Sequence, residues 1–586
     1  MTAPAGTVEI RRADRPMLQF ASSEIEAALK THGYRVRCRE EEGAHGGSGH
    51  LIHLGLAPDA RKPGTGGSGG KAVDPRSERF SIRVRRRGGF LRVSVAGGDE
   101  RGAMYGGLEV AETIALEGAL EAVKPEERSP YLEVRGFRYN LPLPSGYTHW
   151  DLSPDQVKSE ALWFYDLEYW DHFLSMLARN RYNMLTLWHD HPFDRLVKVE
   201  KYPEAVSLSA RQLEKNRRFF KKVLGLARDR GIDTYLISWN IHVSEPFAKA
   251  HGCGLWYDQS PLVKDYMFES VKALLRTYPE LTGIGTCAGE AMRKPTMEPA
   301  NNRWNQKWVR DTYIRAIKEE RGGPIPLIYR NWCSLPAYMQ QYIAADYGGP
   351  IYLDTKFNGE HMYSLPTPHL YRKEWIEQKP RDYRILWHLR NDCIHLLRWG
   401  DPEFVRQTVK SCHTEYAAGF FQGDEGRPPG VDIYHKVKIP WRYDFEKNWL
   451  RFALWGRLGY DPKTPDSTWS DHFDQRYGEG SGKQIFRATV AGSKVIPTIT
   501  AFHWNYMNGD WDPESCDGSW NTSLNFRINK GVRGPAKFHT VVEFVFNQTQ
   551  NRSWLTIPQY VNALVDGRRI SPSRTTPPQV ARRLEQ

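Results

Sequence analysis

The stretch Leu281–Met292, LTGIGTCAGEAM, reads as a buried strand that stops at a carboxylate, Glu290. Small and apolar residues dominate up to Gly289, a pattern that fits a strand covered on both faces, as in a parallel sheet. The first acidic side chain then stands where such a strand gives way to its following loop. Gly285, Thr286, Cys287, Ala288 and Gly289 are small enough to let a ligand come close to Glu290.

The same arrangement recurs on both sides of this stretch. Candidate strands are EVRGFRYN, YNMLTLW, IDTYLISW, LTGIGTC, IPLIYRNW, PIYLDTKF, RILWHLRN and AGFFQGD, and helical stretches such as YDLEYWDHFLSMLARNR lie between most of them. Eight strands over about 290 residues match the count and length of a (β/α)8 barrel, so the predicted class is α/β. A doubly wound open sheet is the alternative, but no strand leads into a GxGxxG fingerprint.

At 586 residues the chain exceeds one hydrophobic core. Residues 1–128 read as a small α/β unit with a helix at SSEIEAALKTHG, a strand at HLIHLGL, a hairpin around Gly88 and Gly89, and a closing helix at DERGAMYGGLEVAETI. The barrel is expected over 129–434. A Trp-rich helical domain is expected over 435–586, ending in the short helix start TTPPQVARRLEQ.

Composition narrows the function. The net charge of +12 allows an acidic partner, but the basic runs RVRRRGG and EKNRRFFKK sit in strand-like and helix-like settings without any nucleic-acid module, so no nucleic-acid partner is expected. The seven cysteines show no CxxC pair and no zinc spacing, and read as reduced thiols. No run of 18 apolar residues occurs and the N-terminus lacks a signal-like apolar core, so the expectation is a chain without a membrane partner, cytoplasmic, or periplasmic or secreted if a signal has been removed. Aromatics at 12% supply flat faces on which sugar C–H groups can pack, beside those that fill cores.

In a barrel, function collects where strands meet their following loops. The second strand ends in Trp188, His189, Asp190 and His191, the third in Trp239, Asn240 and His242, and the fourth leads to Glu290. The fifth ends in Arg330, Asn331 and Trp332; the sixth leads through Asp354 and Lys356 to Asn358, Glu360 and His361. The seventh carries His388, Arg390, Asn391 and Asp392, and the eighth Asp424 and Glu425. A metal is one reading of the His189-Asp190-His191 run, but alternation leaves only the two histidines on one face. A serine nucleophile lacks GxSxG, and Cys287 has no evident activating partner. Paired carboxylates fit better. Glycoside hydrolysis needs a carboxylic acid of raised pKa for the leaving oxygen, and a carboxylate that attacks the anomeric carbon or activates water.

The order of parts, with GGDERGAMYGGLEVAE closing the first domain before a barrel and a Trp-rich helical domain, resembles the α-glucuronidases of glycoside hydrolase family 67. The first domain is also similar to the one preceding the barrel in family 20 hexosaminidases. The family 67 resemblance implies an exo-acting, inverting hydrolase without cofactor, with Glu290 as general acid at the end of strand four. TKFNGEH resembles the family's Lys-Asn-Gly stretch before its Asp, which puts Glu360 in a base position, and Asp392 falls near the third carboxylate. Glu stands at 360 where the family has Asp, and Asp at 392 where it has Glu, so the sugar can differ from the 4-O-methylglucuronic acid of xylan. Family 20 would require an Asp-Glu pair where this chain has Gly289-Glu290.

The expected substrate is therefore a carbohydrate carrying a uronic acid, from plant or algal polysaccharide. Arg330, Lys356 and Arg390 are candidates to receive its carboxylate, and Trp188, Trp239, Trp332 and Trp399 to form its platform. Asp354 and Asp424 stand in reserve, and the resemblance implies a homodimer through the C-terminal helices. A retaining glycosidase and a non-catalytic carbohydrate-binding protein are the alternatives.

Overall fold

The computed structural model describes residues 6–40, 49–58, 77–143, 163–288, 298–331, 335–357, 366–367, 380–389, 400–423, 429–431, 440–502, 545, 549, 551 and 553–586. Its first domain is one sheet of six strands: β1 (Thr7–Arg12), β2 (Arg35–Glu40), β3 (His50–Leu56), β4 (Phe80–Arg87), β5 (Phe90–Gly97) and β6 (Glu126–Arg128). Their order is β2-β1-β3-β5-β4-β6; the pairs within β2-β1-β3-β5 are parallel, and β4 runs antiparallel to β5 and β6. Gly88 and Gly89 turn the predicted hairpin with φ of 55° and 78°, the conformation that a two-residue turn after a twisted strand requires.

Two features of this domain depart from the sequence pattern. The first helix spans Pro16–Thr31, so it begins well before the serines that seemed to cap it. Pro16 supplies the pre-set φ of a first helical residue, while Ser22 is buried in the helix interior and returns its hydroxyl to the Gln19 carbonyl. β1 and β2 also escaped notice, because β2 (RVRCRE) is a largely exposed, charged edge strand without hydrophobic alternation.

The barrel strands are β7 (Val134–Asn140), β8 (Met184–His189), β9 (Asp233–Trp239), β10 (Gly283–Ala288), β11 (Leu327–Asn331), β12 (Ile351–Lys356), β13 (Arg384–Leu389) and β14 (Ala417–Gln422). Every neighbouring pair is parallel, and β14 closes onto β7. With helices such as Leu167–Arg179, Ala210–Asp229 and Pro261–Thr277 between successive strands, this is the expected (β/α)8 barrel. At the closing seam a Cβ on Gly419, whose φ is 144°, would lie 2.0 Å from the Val134 carbonyl oxygen, so only glycine lets β14 reach β7.

The glycines of β10 have a different purpose from the one their sequence suggested. A Cβ on Gly283 would meet the Tyr235 ring at 2.6 Å, and one on Gly285 would meet Ile237 Cγ1 at 2.8 Å. Both glycines face the barrel interior, and their lack of side chain makes room for bulky neighbours on β9 and β11. The described part of the stretch is small for packing rather than for access by a ligand.

The C-terminal region is helical among its described residues, with Trp449–Tyr460, Ser467–Tyr477, Gly482–Ser493, Val495–Phe502, Ile557–Val565 and Pro577–Glu585 as its main helices. All twelve residues of Trp449–Tyr460 are buried. The helix packs Phe452 on Phe137 of β7 and Trp455 on Phe420 of β14, with ring centroids 5.3 Å and 5.7 Å apart. Both tryptophans of this helix are therefore core. No helix among the described residues is long and apolar enough to cross a membrane. Of the described cysteines, Cys287 and Cys412 are buried, Cys253 is part-buried and Cys38 exposed, and all four are free thiols.

One buried carboxylate joins the first domain to the barrel. Glu78 binds Arg135 of β7 and Arg101 of the helix Glu100–Glu117, and accepts a bond from Asn183 Nδ2, just before β8, at 2.8 Å. Arg101 also pairs with Asp233 at the start of β9 at 3.2 Å. Burial alone would raise the Glu78 pKa, but Arg135, Arg101 and these hydrogen bonds hold it below its ordinary 4.5. The ionised form is the one the fold binds. Its stabilisation is complete above the unfolded-state value and is lost as pH falls through the lower folded-state value. Glu78→Gln should cost about 3–5 kcal/mol in urea unfolding at neutral pH, because the buried Arg135 loses its counter-charge and Arg101 keeps only Asp233. The variant should also lose part of the parent's fall in stability below about pH 4.5.

Candidate active site

Alternation decides what each strand sends inward. On β7 it is Val134, Gly136, Arg138 and Asn140; on β8 Met184 and Trp188; on β9 Tyr235, Ile237 and Trp239. β10 contributes Cys287, β11 Ile328 and Arg330, β12 Tyr352, Asp354 and Lys356, and β13 Leu386 and His388. Toward the N-terminal ends of the strands the interior is apolar. Toward their C-terminal ends it becomes charged, and the charged layer is buried: Arg138 is 1%, Arg330 3%, Asp354 1% and His388 0% exposed.

Two indoles organise that layer. The rings of Trp188 and Trp239 meet edge to face at 5.3 Å. The Arg138 guanidinium lies 4.4 Å from the Trp188 centroid and 5.9 Å from that of Trp239, and Arg330 lies 5.5 Å and 5.7 Å from the same two rings. Desolvated cation–π contacts of this kind are worth about 2 kcal/mol each. They let two positive charges share one aromatic pair. Both tryptophans were expected as a sugar platform; buried as they are, they carry the arginines.

A chain of hydrogen bonds fixes Arg138. His388 Nε2 lies 3.3 Å from Arg138 Nη1, and His388 Nδ1 lies 3.1 Å from Asp354 Oδ1. A guanidinium can only donate, so Nε2 is the acceptor and the proton sits on Nδ1, where Asp354 accepts it. His388 is thus a neutral imidazole joining an anion to a cation. Lys356 ends β12 two residues beyond Asp354 on the same face, buried at 5% exposure. Three cationic side chains, Arg138, Arg330 and Lys356, thus share the inward face of this end with Asp354.

The histidines after β8 and β9 are arranged differently. His189 accepts the His191 backbone N–H at Nδ1 and sets Nε2 3.2 Å from the Leu143 carbonyl, so both ring nitrogens meet main chain. His191 Nε2 faces the Tyr266 hydroxyl at 2.9 Å, and the His242 ring stacks on Trp256 at 3.9 Å. Burial, then the neighbouring histidines, pushes His191 down to about 3 and His242 well below the usual histidine range, so both are neutral. Among the described residues no group of three or more His, Cys, Asp or Glu is gathered as a metal site. Asp190 is buried beside them at 2% exposure. Asn240 accepts the Trp308 indole N–H at 3.3 Å, and its Nδ2, like Asp354 Oδ2, is a buried atom with no hydrogen-bond partner among the described residues. Such unfilled capacity at a strand end marks a place where a ligand can bind.

Asn331 is the last residue of β11, paired with Ala288. Glu290, Trp332, Asn358, Glu360, His361, Arg390, Asn391, Asp392, Trp399, Asp424 and Glu425 lie outside the described residues. The strands that precede the three proposed catalytic carboxylates end at Ala288, Lys356 and Leu389. Arg138 and Asn140, at the end of the first barrel strand, are not among the strand-end residues expected from the sequence. An arginine two residues before an asparagine in a strand otherwise fully buried was the available signal.

No family model matches the chain, and no curated protein matches it. Among solved structures it is similar to a GH138 enzyme targeting pectin rhamnogalacturonan II, at 21% identity and a TM-score of 0.75 over 98% of this chain. The match takes in 64% of that structure's length, so this chain spans under two thirds of it. CpGH84D and CpGH84B each match at 10% identity and a TM-score of 0.45, over 83% and 84% of this chain and 72% and 77% of theirs. The first likeness shows a shared fold across the whole chain.

The hydrogen-bond chain has a measurable signature. Nitrogen-15 NMR of the imidazoles should find His388 neutral with its proton on Nδ1 at neutral pH. Asp354→Ala should cost about 1–3 kcal/mol in chemical unfolding, since a buried N–H loses its acceptor.

Proposed function

We propose that the chain is a glycoside hydrolase that removes a uronic acid from a plant polysaccharide or its oligosaccharides, exo-acting and inverting, by general acid/base catalysis. The observation that carries this reading is the floor of the barrel's C-terminal end, where Arg138, Arg330 and Lys356 are buried on the inward face with His388 and Asp354. A floor that gathers guanidinium and ammonium groups suits an anionic ligand. A sugar carboxylate is such a ligand, and a planar guanidinium binds one through two parallel hydrogen bonds.

In this reading Glu290 protonates the leaving oxygen, and Glu360 or Asp392 activates the water that attacks the anomeric carbon. The GH138 enzyme whose fold this chain shares targets pectin rhamnogalacturonan II, which supports a plant polysaccharide as the substrate class. The same likeness, with the barrel and its charged floor, supports glycosidic chemistry for residues 129–434. The closer resemblance to α-glucuronidases of family 67 and a homodimer through the C-terminal helices belong to the same proposal.

Incubation with uronic-acid-bearing oligosaccharides, followed by NMR of the anomeric proton, should show a free uronic acid whose first-formed anomer is inverted. Release of a neutral sugar alone would overturn the assigned receptor. Glu290→Gln should lower kcat by about 10²–10⁴ on substrates with a poor leaving group and much less on those with a good one, the signature of a lost general acid.

A further inference from the structure

Away from the barrel floor, a cavity of about 400 Å³ opens where the first domain, the barrel and the C-terminal helices meet. Alanines make the space: Ala27 and Ala28 from the helix Pro16–Thr31, Ala111 and Ala115 from Glu100–Glu117, and Ala453 from Trp449–Tyr460. Leu108, Met176 and Trp449 complete an apolar wall. Asn180 and Arg181, which lead into β8, also line it, so the cavity lies toward the N-terminal end of the barrel, opposite the charged floor.

The polar part of the lining is positively biased once its internal pairs are counted. Glu24 is held by Arg179 through two bonds of 2.7 Å and 2.9 Å. Glu112 pairs with Arg457 and with His472 at 2.8 Å; burial opposes its ionisation, but these two partners outweigh it and keep the carboxylate well below the usual range. Arg181 is bound to Glu109 at 3.0 Å. Arg476 is the lining arginine with no carboxylate partner among the described residues; its guanidinium lies over the Trp449 ring at 4.5 Å.

An apolar wall, hydrogen-bonding groups on Thr31, Asn180 and Gln475, and a guanidinium without an ion pair among the described residues suit a small ligand that is apolar on one face, rich in hydroxyls and anionic. We propose that this cavity is a second carbohydrate site, which takes one acidic sugar residue with its C–H face on the alanine wall and its carboxylate on Arg476, which Trp449 holds in place. The ligand class is read from the cavity's own lining and stands independently of the chemistry proposed for the barrel.

Calorimetric titration of the full chain with glucuronate, and with glucose as the neutral control, tests this. Glucuronate should bind at two sites per chain, one in the cavity and one on the barrel floor. Arg476→Ala should weaken one site at least tenfold and leave the other unchanged. Ala27→Trp, at an exposed helix position, should block the same site by filling it while the chain stays folded. A single site abolished by Arg476→Ala would uphold the cavity and remove Arg330 as a uronate receptor. Binding abolished by Arg330→Ala alone, binding unaffected by both cavity variants, or equal binding of glucose would overturn the proposal.

Discussion

Glu78 is the group on which the arrangement of the chain turns. A carboxylate with its side chain 4% exposed is costly to bury, and it is tolerated here because guanidiniums from two domains and an amide converge on it. Arg135 comes from the first barrel strand and Arg101 from the first domain, and Tyr460 of the C-terminal helices donates its hydroxyl to the Glu78 carbonyl at 2.7 Å. Three parts of the chain thus meet at one residue. Glu109 repeats the motif nearby, bound to Arg181 at 3.0 Å, Arg128 at 3.3 Å and Arg457 at 3.3 Å. These networks lie at the end of the barrel where the strands begin, which leaves the other end free to be specialised.

That division explains the gradient inside the barrel. Near the strand starts the interior must fill space, and Val134, Met184, Tyr235 and Ile328 do so around the glycines of β10. Near the strand ends the same inward positions carry Arg138, Arg330, Asp354, Lys356 and His388. Charges this deep survive only with partners, and among them are the aromatic faces of Trp188 and Trp239 and a neutral imidazole. Ion pairs weld the domains at one end; at the other, cationic side chains are gathered on the inward face of the barrel.

Much of this was legible in the sequence. All eight barrel strands stand where apolar runs bounded by polar loops placed them, because a strand covered on both faces has to be apolar along most of its length. The Gly88-Gly89 hairpin was legible for a similarly local reason, the positive φ that the turn requires. The charged, exposed β2 gave no such signal, since its pairing with β1 depends on a neighbour that the local pattern does not name. The first helix was misplaced because a serine inside a helix looks like a cap until its burial is seen.

The candidate site divides along the same line. Residue types at the strand ends were readable, and so Arg330, Lys356, Trp188 and Trp239 were expected inward at the C-terminal end, where they lie. What they do to one another was not readable, because contacts between side chains on different strands depend on barrel closure and stagger. Arg138 and His388 are 250 residues apart and meet at 3.3 Å only because β7 and β13 are brought to either side of β14. By itself the sequence determined the barrel, its polar rim and the basic, aromatic character of that rim, since periodicity and residue type are properties of short segments. Only the tertiary structure decided that the tryptophans hold arginines, that the β10 glycines serve packing and that one carboxylate joins the domains, since each of these is a contact between distant segments.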